Sequence, residues 1–179
     1  MSQKVLLNAK EVNIILHRLA CQLIEKHNNF SDTVLIGLQP RGKYLANRLA
    51  QMLKEDYKIK NVQLGHLDIT FYRDDFRRGE KTLEANTTEI NFIVENKNVV
   101  FIDDVLYTGR SIRAALTAIQ SFGRPNEIEL LTLIDRRFSR HLPIQPDYRG
   151  RQVDTINKEK VMVHWQENEG KDAVYLINN

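Results

Sequence analysis

Two adjacent carboxylates, Asp103 and Asp104, stand just ahead of the turn Thr108-Gly109-Arg110-Ser111. These residue types in this order suit a ligand that carries both phosphate and hydroxyl groups. Carboxylates accept hydrogen bonds from sugar hydroxyls, and they can orient a hydrated Mg2+ that is held mainly by the ligand's own phosphates. A turn of Thr, Gly, Arg and Ser presents backbone N–H groups. A helix beginning there adds partial positive charge, so a terminal phosphate fits. A carboxylate beside a sugar carbon also stabilises the positive charge that develops when a bond at that carbon breaks heterolytically.

The surrounding sequence supplies the elements that must hold these groups. Val99 to Ile102 reads as a buried strand and Ser111 to Phe122 as a helix, stopped by Gly123-Arg124-Pro125. A buried strand that ends in charge places that charge at the carboxyl edge of an open α/β sheet, where ligands bind. Thr33 to Leu38 reads as another buried strand, followed by the turn Gln39-Pro40-Arg41-Gly42 and a helix carrying Tyr44, Leu45, Leu49, Met52 and Leu53. Gly37 to Lys43 fits G-x-x-x-x-G-K, but Tyr44 stands where an Mg2+-binding hydroxyl would be needed and Pro40 has no N–H. The nucleotide-hydrolase reading is therefore rejected, and the loop is kept as an anion contact. Asn8 and Glu11 form a capping box for a helix near residues 9 to 27. His17 and His27 on that helix have no second ligand at i+4 and are read as solvated or half-buried.

Val62 to Thr70 reads as a strand, and the charge-dense stretch after it as a lid over the site. Glu127 to Ile134 is the next strand, ending in Asp135-Arg136-Arg137. The tail, broken by Pro143, Pro146 and Gly150, keeps two apolar pieces, Val161 to Trp165 and Ala173 to Ile177, expected to close a small antiparallel cap. Strand and helix alternate through the middle, which predicts an α/β fold: a central, mostly parallel sheet flanked by helices. One domain spans 1–179, with a core over 8–135, a lid over 71–89 and a hood built mainly from 136–179.

The chain's 179 residues, 42% hydrophobic and 27% charged, allow one domain with a real core. A net charge of +3 is too small for a dedicated nucleic-acid binder and suits an anionic small substrate. The single cysteine, Cys21, excludes an internal disulfide and fits a reducing compartment. No apolar run approaches the ~20 residues that span a bilayer. Met1-Ser2-Gln3-Lys4 lacks a signal-like apolar region, so a cytoplasmic protein is expected.

Val99 to Ser111 resembles the phosphoribosyl-pyrophosphate signature of the type I phosphoribosyltransferases. The run Asp103 to Arg110, together with Asp68 to Asp75, resembles the PyrR group specifically, pyrimidine-operon attenuators that also act as uracil phosphoribosyltransferases. The likeness covers nearly the whole chain. It implies a type I phosphoribosyltransferase fold with a hood and a flexible lid. It also implies Mg2+-dependent transfer of phosphoribose from phosphoribosyl pyrophosphate to uracil, giving UMP and pyrophosphate. By this resemblance Asp103 and Asp104 hold the ribose hydroxyls, and Thr108, Gly109, Arg110 and Ser111 hold the 5-phosphate. Pro40, Arg41 and Gly42 form the pyrophosphate loop, with N–H groups from Arg41 and Gly42, and Arg73 in the lid neutralises the leaving group.

The same resemblance assigns the base to Asp135, Arg136, Tyr148 and Arg149. A ring at Tyr148 can stack on a pyrimidine or fill the hood, and the sequence leaves both open. The run Gly150 to Thr155 lacks the proline associated with the group, which leaves a purine base as an alternative. The implied partners are phosphoribosyl pyrophosphate, uracil and uridine nucleotides, with no membrane, in a homodimer or higher homo-oligomer. RNA is a further partner, and the site would then serve as a nucleotide sensor for attenuation. Cys21 and Gln145 stand where RNA-binding members carry a histidine and a basic residue, which weakens that contact. Arg18, Lys26, Arg136, Arg137, Arg140, Arg149 and Arg151 remain to neutralise phosphate.

Overall fold

The computed structural model describes residues 2–73, 86–155 and 159–178. Its elements, in chain order, are β1 (Ser2–Leu7), α1 (Ala9–His27), β2 (Thr33–Leu38), α2 (Gly42–Glu55), β3 (Gln63–Leu67), β4 (Asn98–Leu106), α3 (Arg110–Ile119), β5 (Glu127–Arg137), β6 (Tyr148–Asp154), β7 (Glu159–His164), α4 (Gln166–Glu169) and β8 (Ala173–Asn178). Single 3-10 turns lie at Thr70–Tyr72 and Gln120–Phe122.

Five strands form a wholly parallel sheet in the order β3-β2-β4-β5-β6. Every residue of β2 is buried, as both faces of a parallel sheet require. One face carries α1 and α2, whose Leu16, Leu19, Leu45 and Leu49 pack with Val100, Ile102 and Leu133. The other face carries α3, whose Ala115 and Ile119 pack with Ile36 and Phe101. From β2 the chain winds outward to β3, and from β4 it winds the opposite way to β6. The reversal therefore falls between β2 and β4, and the carboxyl ends at such a switch point leave a crevice for a ligand.

The Asn8–Glu11 capping box is present, with Glu11 N–H donating to Asn8 Oδ1 at 3.0 Å and Asn8 N–H donating to Glu11 Oε2 at 2.8 Å. It satisfies the N–H groups at the start of α1 internally. By contrast, α2 and α3 begin at Gly42 and Arg110 with no capping side chain and no acidic residue in the first turn. Those two open helix starts both lie at the switch point.

The hood is a second, antiparallel sheet in the order β1-β8-β7. Its Val161, Val163, Trp165 and Val174 join the core beneath α1 and α2. Arg48 on α2 fastens it. The guanidinium reaches both Glu167 oxygens at 2.6 and 2.8 Å and both Asp172 oxygens at 2.7 and 2.8 Å, and it lies 4.9 Å from the Trp165 ring. Arg48→Ala strips the partly buried Asp172 and the exposed Glu167 of their partner. It is expected to lower stability by about 1–2 kcal/mol, read as a fall in Tm of about 2–4 °C per kcal/mol. A Tm within 1 °C of wild type (roughly the smallest resolvable shift at that slope) would remove Arg48 as the hood's fastening.

Two expectations need correction. Residues 148–154, assigned to the hood, form the edge strand of the core sheet, with Leu131 opposite Tyr148 and Arg137 opposite Asp154. Residues 2–7, placed outside the core, supply a hood strand by pairing Ser2 through Leu7 with β8. The hood is thus built mainly from residues 159–178, with one further strand supplied by residues 2–7. Residues 74–85, most of the expected lid, lie outside the described residues.

Candidate active site

The cavity at the switch point, about 190 Å3, is lined by Arg73, Asp103, Val105 to Ser111 and Ile112. It brings together Asp103, Arg73, Thr108, Gly109, Arg110 and Ser111. The strands explain why it opens there. Pairing of β4 with β2 stops at Ile102, opposite Gly37, whereas pairing with β5 runs on to Leu106, opposite Asp135. Asp103 to Leu106 therefore carry a free edge toward β2.

Burial pushes the Asp103 carboxyl well above the usual carboxylate range, the neighbouring charge of Asp104 adds to the rise, and Arg73 opposes it. Asp103 Oδ1 accepts from the Asp104 N–H at 2.9 Å. Asp104 is 7% exposed, and burial raises its carboxyl too, against the pull of Arg41, whose Nε donates to Asp104 Oδ2 at 3.2 Å. A pair of crowded, under-compensated carboxylates is suited to hydroxyl donors and to a cation's hydration shell. Among the described residues no three His, Cys, Asp or Glu side chains gather as metal ligands. A divalent ion held here would therefore draw on ligand oxygens, as the two carboxylates allow.

Gly42 makes the crevice wall. A Cβ there would stand 2.3 Å from the Ile102 carbonyl oxygen and 3.0 Å from Asp103 Cα, so only glycine lets the start of α2 lie against β4. Gly109 has φ +90° and turns the chain from β4 into α3. The Gln39–Pro40 peptide is cis. The Arg41 side chain, expected to serve the anion only through its backbone, spans from Asp104 to the hood, donating to Glu169 Oε1 at 3.2 Å and to the Val163 carbonyl. No residue near Arg41 in the chain signals this link, because its acceptors lie at Asp104, Val163 and Glu169.

The four expected base contacts are not all brought together. Tyr148 is buried in the core, and its hydroxyl donates to Glu129 Oε2 at 2.7 Å and lies 3.1 Å from His27 Nε2. It faces the amino end of the sheet, away from the cavity, because it enters β6 opposite Leu131 rather than entering the hood. Arg136 is 5% exposed, with its guanidinium 3.8 Å from the Tyr107 ring and donating to Thr155 Oγ1 at 3.0 Å and to the Glu159 carbonyl at 2.8 Å. Asp135 and Arg149 lie 3.8 Å apart on an adjoining cavity of about 430 Å3, which Gln145 also lines. Asp68 was not expected to act. Its carboxylate accepts from Thr70 N–H at 3.0 Å, Thr70 Oγ1 at 2.6 Å and Asn86 N–H at 2.9 Å, holding both flanks of residues 74–85 beside the cavity.

A carboxylate pair, an open helix start on either side and a free strand edge at a switch point define a doubly wound α/β protein built for a phosphorylated ligand. A family model described as phosphoribosyl transferase domain matches residues 2–168. The chain is 46% identical over 172 residues to the bifunctional protein PyrR of Gloeothece citriformis, covering 96% of each chain. It is 40% identical over 176 residues to the bifunctional protein PyrR of Enterococcus faecalis, covering 98% of this chain and 97% of that one. In fold it is similar to the hypoxanthine phosphoribosyltransferase of Trypanosoma cruzi, with a TM-score of 0.73 at 14% identity, covering 98% and 96% of the two chains. The chain belongs to the type I phosphoribosyltransferases, and within them to the PyrR group. No helix among the described residues is long and apolar enough to cross a membrane.

Proposed function

We propose that this chain, in the cytoplasm, transfers phosphoribose from phosphoribosyl pyrophosphate to uracil, releasing UMP and pyrophosphate. The observation that carries the reading is the gathering of Asp103, Arg73 and Thr108 to Ser111 around one cavity. The N–H groups of Thr108 to Ser111 and the open start of α3 receive the 5-phosphate. Asp103 and Asp104 take the ribose 2- and 3-hydroxyls. The open start of α2, with the Arg41 and Gly42 N–H groups, receives pyrophosphate, and Arg73 adds positive charge as the bond from the anomeric carbon to pyrophosphate breaks. The uracil nitrogen forms the new bond to that carbon and gives up its proton to the departing pyrophosphate, while Asp103 and Asp104 stabilise the positive charge passing through the sugar. Asp103 and Asp104 would orient a hydrated Mg2+, which when bound would supply neutralisation of charge on the leaving group.

The base would lie toward Tyr107 and Arg136, the aromatic and cationic pair nearest the cavity, with Asp135 and Arg149 beyond. Tyr148 has no part in it. A panel assay with purified protein, donor, Mg2+ and uracil, hypoxanthine or guanine tests the reading. UMP from uracil alone is expected. Product only from a purine moves the chain to the purine-base alternative, and no product from any base, with Asp104→Asn indistinguishable from wild type, removes the catalytic reading.

The relatives' designation as bifunctional favours a second activity, a pyrimidine-responsive contact with leader RNA. The exposed Cys21 and the position of Gln145 argue for a weaker contact. Filter binding of pyrimidine-operon leader RNA with UMP present is expected to give salt-dependent retention, and no retention at low salt counts against it. Assembly as a homodimer or higher homo-oligomer belongs to the same proposal.

A further inference from the structure

Arg140 lies outside the residues lining the switch-point cavity, yet it is tied to the loop that does line it. A phosphate nest needs its N–H groups turned inward. The carbonyls of the same turn then face outward and need donors of their own. Among the hydrogen bonds of the turn itself, Arg110 N–H reaches Thr108 Oγ1 at a long 3.4 Å and Arg113 N–H donates to the Gly109 carbonyl at 3.0 Å, and α3 has no capping side chain.

The segment after β5 provides the donors. The Arg140 guanidinium donates with one arm to the Tyr107 carbonyl and with the other to Asp135 Oδ1. Asp135 is 3% exposed and sits opposite Leu106 in the sheet register, so the arginine is moored to a rigid strand. The adjacent His141 N–H donates to the Thr108 carbonyl at 3.0 Å. Leu142 and Ile144 flank Gly109, each 3.5 Å from the point where a Cβ would stand.

We propose that Arg140 is a positioning residue for phosphate binding: it locks the Tyr107–Gly109 turn in the form that receives a phosphomonoester, without touching the ligand. This rests on the reading of Thr108 to Ser111 as the 5-phosphate cradle.

Titration of the wild-type chain with ribose 5-phosphate and with ribose tests that reading first. Binding of ribose 5-phosphate alone supports the cradle, and binding of neither removes cradle and brace together. With the cradle supported, Arg140→Ala is expected to weaken ribose 5-phosphate about tenfold or more and to leave pyrophosphate affinity unchanged. The KM for the donor should rise more than kcat falls, and amide exchange should quicken at residues 109–111 and not elsewhere. Arg140→Lys, which can reach one acceptor instead of two, should fall between. Unchanged ribose 5-phosphate affinity in folded Arg140→Ala overturns the proposal. Equal weakening toward pyrophosphate also overturns it, because that result marks a general loosening of the fold. If the alanine variant does not fold, Arg140→Lys carries the same two titrations, with the same outcomes deciding.

Discussion

Asp103→Asn is expected to make the protein more stable and, at the same time, to slow phosphoribosyl transfer by about a hundredfold or more. The stability gain follows from the raised carboxyl of Asp103, which burial and the neighbouring Asp104 charge both favour. A carboxyl whose folded-state value lies above its unfolded value holds its proton more tightly when folded. Stability is then greatest at low pH and falls as pH rises from the ordinary carboxylate range through the folded-state value. Asparagine has no charge to lose. The gap between variant and wild type should therefore be small near pH 4 and widest near pH 8, at about 1.4 kcal/mol for each unit separating the two values. Thermal unfolding at the two pH values measures it, at about 2–4 °C per kcal/mol for a chain of this length. A gap independent of pH, or a variant less stable at pH 8, would contradict this account. Asp104→Asn should bring no comparable gain, because it also takes the carboxylate from Arg41. The loss of activity has the same origin. The under-compensated charge that lowers stability is the charge that the sugar's hydroxyls and its transient positive carbon would meet.

Gly42→Ala should be the most damaging single-methyl change in the site. In a helix, alanine normally stabilises relative to glycine by roughly 0.5–1 kcal/mol. Here the added Cβ would meet the Ile102 carbonyl oxygen at 2.3 Å and Asp103 Cα at 3.0 Å. Both are backbone of the central strand and cannot swing aside as a side-chain tip can. Relief requires α2 to withdraw from β4, which widens the crevice between the proposed pyrophosphate and ribose contacts. A loss of about 1–3 kcal/mol in stability and about a hundredfold in kcat/KM is expected. Gly170→Ala is the control. Gly170 has φ +72° but no atom within 4 Å of its Cβ position, so it incurs backbone strain alone and should leave kcat/KM within a factor of two (roughly 0.4 kcal/mol) of wild type. If Gly42→Ala behaves like Gly170→Ala, the close approach is not what shapes the site.

Much of this site was legible because it is local. Val99 to Ile102, the two aspartates, the turn and α3 follow one another without interruption, so apolar run, charge and helix start declare the strand, the edge and the cradle in order. The boundaries of α1 were legible for the same reason, since Asn8 and Glu11 cap each other within one turn. What stayed hidden depends on partners distant in sequence. Tyr148 reads as an aromatic of the tail, and only its register opposite Leu131 shows that it turns into the core toward Glu129 and His27. Gly42 reads as an ordinary turn glycine until Ile102 is packed on it. Arg41 reads as a loop residue that offers its N–H and Arg140 as a member of a basic surface, yet each spends its guanidinium on a fixed structural acceptor. Residues 2–7 show no clear alternation, and their partner lies at residues 173–178.

That last pairing has a kinetic consequence. The five core strands and their helices are complete within residues 9–154, whereas the hood's middle strand, β8, follows them in the chain. During synthesis at about 5–20 residues per second, β1 emerges before the core strands and waits unpaired for β8. The hood sheet can therefore close only after the core sheet has had time to form. The face of the core that receives Val163 and Trp165 stays uncovered in the interval, so the half-made chain passes through a stage in which a chaperone or a second nascent chain competes with its own hood.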